Sequence, residues 1–105
     1  MDNFSVIYTI LKYIERSMDC EEFDEEHFTA EFFNVSDARF FFLLKALILD
    51  HYVSGIRCEE VPTGRTISII SPHLTLGGME YLANNTMMRK AYRLAKGVKE
   101  ITPGL

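Results

Sequence analysis

Apolar residues recur at helical spacing near the start and in the middle of the chain, and at strand spacing after that. Over 4–18, FSVIYTILKYIERSM, residues Phe4, Ile7, Leu11, Ile14 and Met18 fall on one side, which predicts an amphipathic helix. Asp2, Asn3 and Ser5 are its candidate caps. A short second helix is expected from Asp24, with Glu25 and Glu26 in a first turn where the helix dipole favours carboxylates. Phe23 and Phe28 are spaced as a hydrophobic staple. Phe28, Phe32 and Phe33 should face inward, and Asn34 should close the helix in a left-handed turn.

Ser36 can cap a third helix that runs to His51. At 100° per residue, Phe40, Leu44, Leu47 and His51 make its inward stripe. The opposite side carries Ala38, Phe42, Lys45, Ala46 and Leu49. Two short helices joined by a tight turn around Val35 predict a helix-turn-helix over about 24–51.

Beyond it, Ile56 and Cys58 alternate with Arg57 and Glu59, and Ile67 and Ile69 flank Ser68. With Pro62-Thr63-Gly64 as the turn, this predicts a hairpin over about 53–71, ended by Pro72. Thr75 can cap a helix over LGGMEYLANN, and Thr86 another over TMMRKAYRLAKGVKEI, so that C-terminal helices fill about 75–101. Helices, then a hairpin, then helices is the order of an α+β winged helix with the hairpin as wing. At 105 residues the chain is expected to be one such domain.

Charge changes the picture more than composition does. Residues 1–37 carry ten acids and two bases, and 38–105 carry five acids and nine bases, a charge of −8 against +4. A chain that lives on phosphate contacts usually shows a broad basic balance. This one does not. No apolar run is long enough to span a membrane and no signal peptide is apparent. Two cysteines, Cys20 and Cys58, are too few for a disulfide scaffold, so a reducing cytoplasm is expected.

Four stretches are similar to the YjcQ-like proteins of Gram-positive bacteria and their phages. They are NFSVIYTILKYIERSMDCEEFD at the start, HYVSGI at the junction of third helix and first strand, SPHLTLGGMEYL, and the closing LAKGVKEITPGL. The resemblance runs end to end. It implies a small winged-helix fold and, for many members, a prophage setting, but no particular activity. Where that family commonly has Gly this chain has His51, and Phe42 stands where polar residues are usual.

Catalytic chemistry finds little support. His27, His51, His73 and the two cysteines lack the close spacing of a zinc site. The acids at 19–26 lack the glycine and ligand periodicity of a calcium loop. No nucleophile elbow or phosphate loop occurs, and Gly77-Gly78 reads as close packing of a helix on a neighbour. No enzyme, metal, cofactor or small-molecule substrate is expected.

Three surfaces remain. The apolar outward side of the third helix (Ala38, Phe42, Lys45, Ala46, Leu49) is unlike a DNA reader, which would present Arg, Asn or Gln to base edges. It should be covered by a second subunit or by the last helix of the same chain. That last segment has a seam of Met87, Ala91, Leu94, Val98 and Ile101 and a basic back of Arg89, Lys90, Arg93 and Lys96. The acids at 19–26 offer this back a protein partner, such as a second copy. Arg57 and Arg65 on the wing could touch DNA, but Glu59 and Glu60 stand beside them. The expected function is a protein-interaction module, as a homodimer; a winged-helix DNA-binding regulator is the alternative.

Overall fold

A computed structural model describes residues 2–85. Over these residues the fold is α+β, with helices α1 (Asn3–Ser17), α2 (Asp37–Leu49) and α3 (Leu76–Asn84) and strands β1 (Val53–Val61) and β2 (Gly64–Leu74). The helix expected from Thr86 lies outside the described residues.

Asp2 caps α1, its carboxylate accepting the amide of Ser5 at 2.8 Å. The buried side of α1 is Val6, Ile10, Leu11 and Ile14, with Tyr8 beside them. This is rotated from the expected stripe, leaving Phe4 and Met18 exposed. Phe28, Phe33, Phe40, Leu44, Leu47, Val53, Ile56, Leu74 and Leu82 complete the core, so every element contributes to it.

The segment 24–35 is not the expected α-helix but a run of turns. Asp24 does accept an amide, from His27 at 3.3 Å, but what it caps is a single turn closed by the Phe28 amide on the Glu25 carbonyl. Thr29 then caps a second turn through the amide of Phe32. That turn closes with Asn34 at φ +59°, the Val35 amide reaching the Ala30 carbonyl and the Asn34 amide the Glu31 carbonyl. This is the Schellman pattern that ends helices. Tyr13 of α1 explains the compression. Its ring centroid lies 5.3–5.7 Å from those of Phe23, Phe28, Phe32 and Phe33, and its hydroxyl donates to the Asp24 carbonyl at 2.7 Å. Rings that converge on one side chain from both ends of a segment need the segment curled, and a straight helix would carry Phe23 and Phe33 apart. Phe32, expected inward, is largely exposed.

Ser36 caps α2, accepting the Arg39 amide at 3.1 Å. The exit of α2 repeats the Schellman pattern: the Tyr52 amide reaches the Leu47 carbonyl and the His51 amide the Ile48 carbonyl. His51 is the left-handed residue, at φ +64°, and is exposed. The expectation that it closes the inward stripe is therefore wrong. The stripe ends at Leu47, and His51 occupies a position that favours glycine.

β1 and β2 pair antiparallel from Val61↔Gly64 at the Pro62-Thr63 turn to Val53↔Leu74. β2 does not stop at Pro72. Between Ser54↔His73 and Ile56↔Ile69, Gly55 faces Ile70, Ser71 and Pro72, a bulge that gives Pro72 a place without a ladder bond. Gly55 has φ +82°, and a Cβ there would lie 1.8 Å from the Ser71 carbonyl oxygen. α3, capped by Thr75, starts against the α2 exit. The Thr75 amide donates to the Tyr52 carbonyl at 3.1 Å, and its hydroxyl to the His51 carbonyl. A Cβ on Gly78 would come within 2.1 Å of the Tyr52 oxygen, so close packing of this glycine is what its position requires.

Candidate interaction surface on helix α2 and the hairpin

Helix α2 buries more than one side. Phe40, Leu44 and Leu47 enter the core, while Phe41 is buried on another side with 2 % of its surface exposed. The Lys45 ammonium and the Arg65 guanidinium each lie 5.9 Å from the Phe41 ring centroid. Arg65 also stands 5.3 Å from the Phe42 ring, which meets Phe41 edge-on at 5.2 Å between centroids. Such cation–ring contacts contribute ~0.5–1 kcal/mol at exposed sites.

The outward side is thus partly overlaid by the hairpin. Lys45 donates to Glu60 at 3.5 Å, and Glu60 is the cross-strand neighbour of Arg65. These side chains bring Lys45, Phe42 and Arg65, placed on two separate surfaces by the sequence, into one patch. Phe42 remains 46 % exposed and Leu49 65 % exposed. Ala38 is half-buried and Ala46 exposed. Arg57 is exposed on β1. Arg89, Lys90, Arg93 and Lys96 lie outside the described residues.

The electrostatics of the patch are those of engaged cations. The Lys45–Glu60 pair is partly exposed, so its own energy is small, ~0–1 kcal/mol. Its consequence is positional: the ammonium points at the hairpin and at Phe41 rather than outward. Cys58, on β1, has its thiol pushed above the ordinary value by burial, partly offset by the Lys45 charge, so it is a poor nucleophile. Among the described residues, no three His, Cys, Asp or Glu side chains stand close enough to hold a metal ion, and no helix is long and apolar enough to cross a membrane.

Sequence spacing misses Phe41, and it places Arg65 on the wing rather than beside α2. A run of three phenylalanines from 40 to 42 must point some ring away from any single stripe, and that run was the available signal for Phe41. Nothing local ties Arg65 to residues more than twenty positions earlier.

No curated protein and no solved structure matches the chain. The sequence model of the YjcQ protein family matches residues 8–101, nearly the whole length, and the chain belongs to that family.

Proposed function

We propose that the chain is a non-enzymatic, cytoplasmic winged-helix protein that works as an interaction module, assembling as a homodimer through the outward side of α2. The helix–turn–helix–hairpin order supports the winged-helix reading, with the first helix of the pair shortened to single turns by the aromatic cluster on Tyr13.

The carrying observation is the pairing of exposed apolar anchors with occupied cations. Phe42 and Leu49 stay open to solvent on the side that a DNA reader would present, while Lys45 and Arg65 are turned onto Glu60 and the phenylalanine rings. Covering Phe42 and Leu49 would recover ~1.5–3 kcal/mol for each fully buried side chain. A DNA-reading helix would instead spend these positions on donors and acceptors.

The test is molecular mass in solution, with Phe42→Glu as the variant. A dimer that becomes a folded monomer with unchanged helix content is the expected result, because a charge entering a desolvated contact is strongly unfavourable. A variant as oligomeric as the parent removes α2 from the interface. Binding of duplex DNA tighter than ~1 μM at physiological salt, with affinity falling steeply as salt rises, would establish the DNA-binding reading in its place.

A further inference from the structure

The far end of the hairpin has a second surface, independent of α2. Where α1 ends, Met18 turns onto β2 and its sulfur accepts the Leu74 amide at 3.4 Å. Opposite, the bulge at Gly55 leaves Ile70, Ser71 and Pro72 outside the pairing register. Between them lies an open depression of about 480 Å³, with Met18, Glu21 and Phe23 in one wall and Ile70, Pro72 and His73 in the other. Ile70 is 66 % exposed and Met18 41 %, so the apolar part of the lining faces solvent.

Two further observations narrow what could sit there. Residues 19–24, DCEEFD, bring four exposed acids and no base; Glu21 lines the depression itself, and Asp24 is already paired with the His27 ring at 2.8 Å. The wall made by β2 is closed to strand addition at two points, since Pro72 has no N–H and the Leu74 N–H is already donated to Met18. An occupant must therefore bind by its side chains. It needs an apolar group for Met18, Phe23 and Ile70, and positive charge for the acidic rim.

We infer that the depression between the end of α1 and the β2 bulge docks a cationic peptide segment of a partner protein, one that alternates basic with aliphatic side chains. The aliphatic group seats between Met18 and Ile70, where a flexible thioether adapts to its shape. The basic groups pair with Glu21 and its neighbours. Nucleic acid is repelled by the same rim, and an acidic or purely polar peptide lacks one of the two complements.

The experiment uses the full chain and a fluorescein-labelled nonapeptide of alternating arginine and leucine. Two control peptides carry glutamate for arginine and serine for leucine. The expected result is binding of the arginine–leucine peptide with Kd below ~100 μM, weakened by salt, with neither control binding as well. Amide shifts on binding should cluster at 17–23 and 70–73. Ile70→Ser, at an exposed position that leaves the fold intact, should weaken binding at least tenfold, and the double variant Glu21→Gln/Glu22→Gln several-fold. Phe42→Glu should leave it unchanged, which separates failure here from failure of the α2 interface. Equal binding of the serine control, shifts centred elsewhere, indifference to Ile70→Ser or no binding at all would each overturn the assignment.

Discussion

The chain turns sharply on either side of α2, and the two turns are built on opposite principles. Both end in a Schellman closure with a non-glycine residue in the left-handed region, Asn34 before the helix and His51 after it. The entry turn is held by side chains: Asp24 on the His27 amide, Thr29 on the Phe32 amide, and four phenylalanine rings around Tyr13. The exit turn is held chiefly by backbone against backbone, with Thr75 and Gly78 against the Tyr52 carbonyl and Gly55 against Ser71, and one side-chain bond from the Thr75 hydroxyl to the His51 carbonyl. Side-chain contacts can be loosened one at a time and yield by degrees. Backbone approaches have no slack, because a single methylene has nowhere to go.

The largest expected effect therefore lies at the exit. Gly55→Ala places a Cβ 1.8 Å from a carbonyl oxygen at φ +82°, and Gly78→Ala places one at 2.1 Å from the Tyr52 oxygen. Either should cost ~3 kcal/mol or more, from the displaced strand or helix and, at Gly55 alone, from backbone strain as well. Gly77→Ala is the internal control. Its Cβ would meet nothing nearer than 3.5 Å, and within α3 alanine is favoured over glycine by up to ~1 kcal/mol. Denaturant melts of the three variants should thus show two large losses and a small gain. Three equal losses would mean that the exit is not held by close backbone approach.

The contrast also explains what could be read in advance. The caps Asp2, Ser36 and Thr75, the left-handed Asn34 and the Pro62-Thr63 turn are local devices, and each sits where residue type and position place it. The entry segment reads as a helix because Asp24, Glu25 and Glu26 are good local signals, while the competing pull of Tyr13 comes from another element. His51 reads as part of the inward stripe because it continues the period of Phe40, Leu44 and Leu47, and periodicity does not mark where a helix stops. Pro72 ends strands locally, but the bulge opposite Gly55 lets β2 pass through it. At the candidate site, the apolar anchors Phe42 and Leu49 were legible from helical geometry. The engagement of Lys45 and Arg65 by the hairpin was not, since it depends on where a strand crosses a helix.

A moderate effect is expected from exchanging the left-handed residues. An L-residue with a Cβ loses roughly 1–2 kcal/mol in the left-handed region, and glycine loses about 0.5–1 kcal/mol of that advantage through its freer unfolded chain. His51→Gly should thus stabilise the protein by ~0.5–1 kcal/mol and raise Tm by several degrees. Asn34→Gly should gain less, since asparagine already tolerates that conformation, and Asn34→Ala should lose ~1 kcal/mol. Thermal melts showing no gain from His51→Gly would indicate that the imidazole makes a compensating contact at the exit, and the two turns would then be less different than their bonding suggests.

The smallest effect belongs to the entry turn, and it is the only one set by pH. Asp24 accepts from the His27 ring Nδ1 at 2.8 Å. The hydrogen bond from His27 lowers the Asp24 pKa, and the same bond, reinforced by the carboxylate charge, raises that of His27. A depressed carboxylate stabilises the fold above the ordinary carboxylate pKa, and that contribution is lost as pH falls through the folded value. A raised imidazole stabilises it below the ordinary histidine pKa, and that contribution is lost as pH rises through the folded value. The pair is therefore fully in place only between those two ordinary values, about pH 4 to 6.5. Both groups are exposed, so the effect on global stability is slight, and the sensitive measurement is an NMR titration of the His27 ring. Its midpoint should lie above the ordinary histidine value and fall back in Asp24→Asn, with the amides of His27 and Phe28 following the same curve. The amides of Gly55 and Thr75 should not respond to that substitution, because the exit does not lean on Asp24. A His27 midpoint that Asp24→Asn leaves in place would remove this carboxylate from the devices holding the entry turn, leaving the aromatic cluster and Thr29 to hold it.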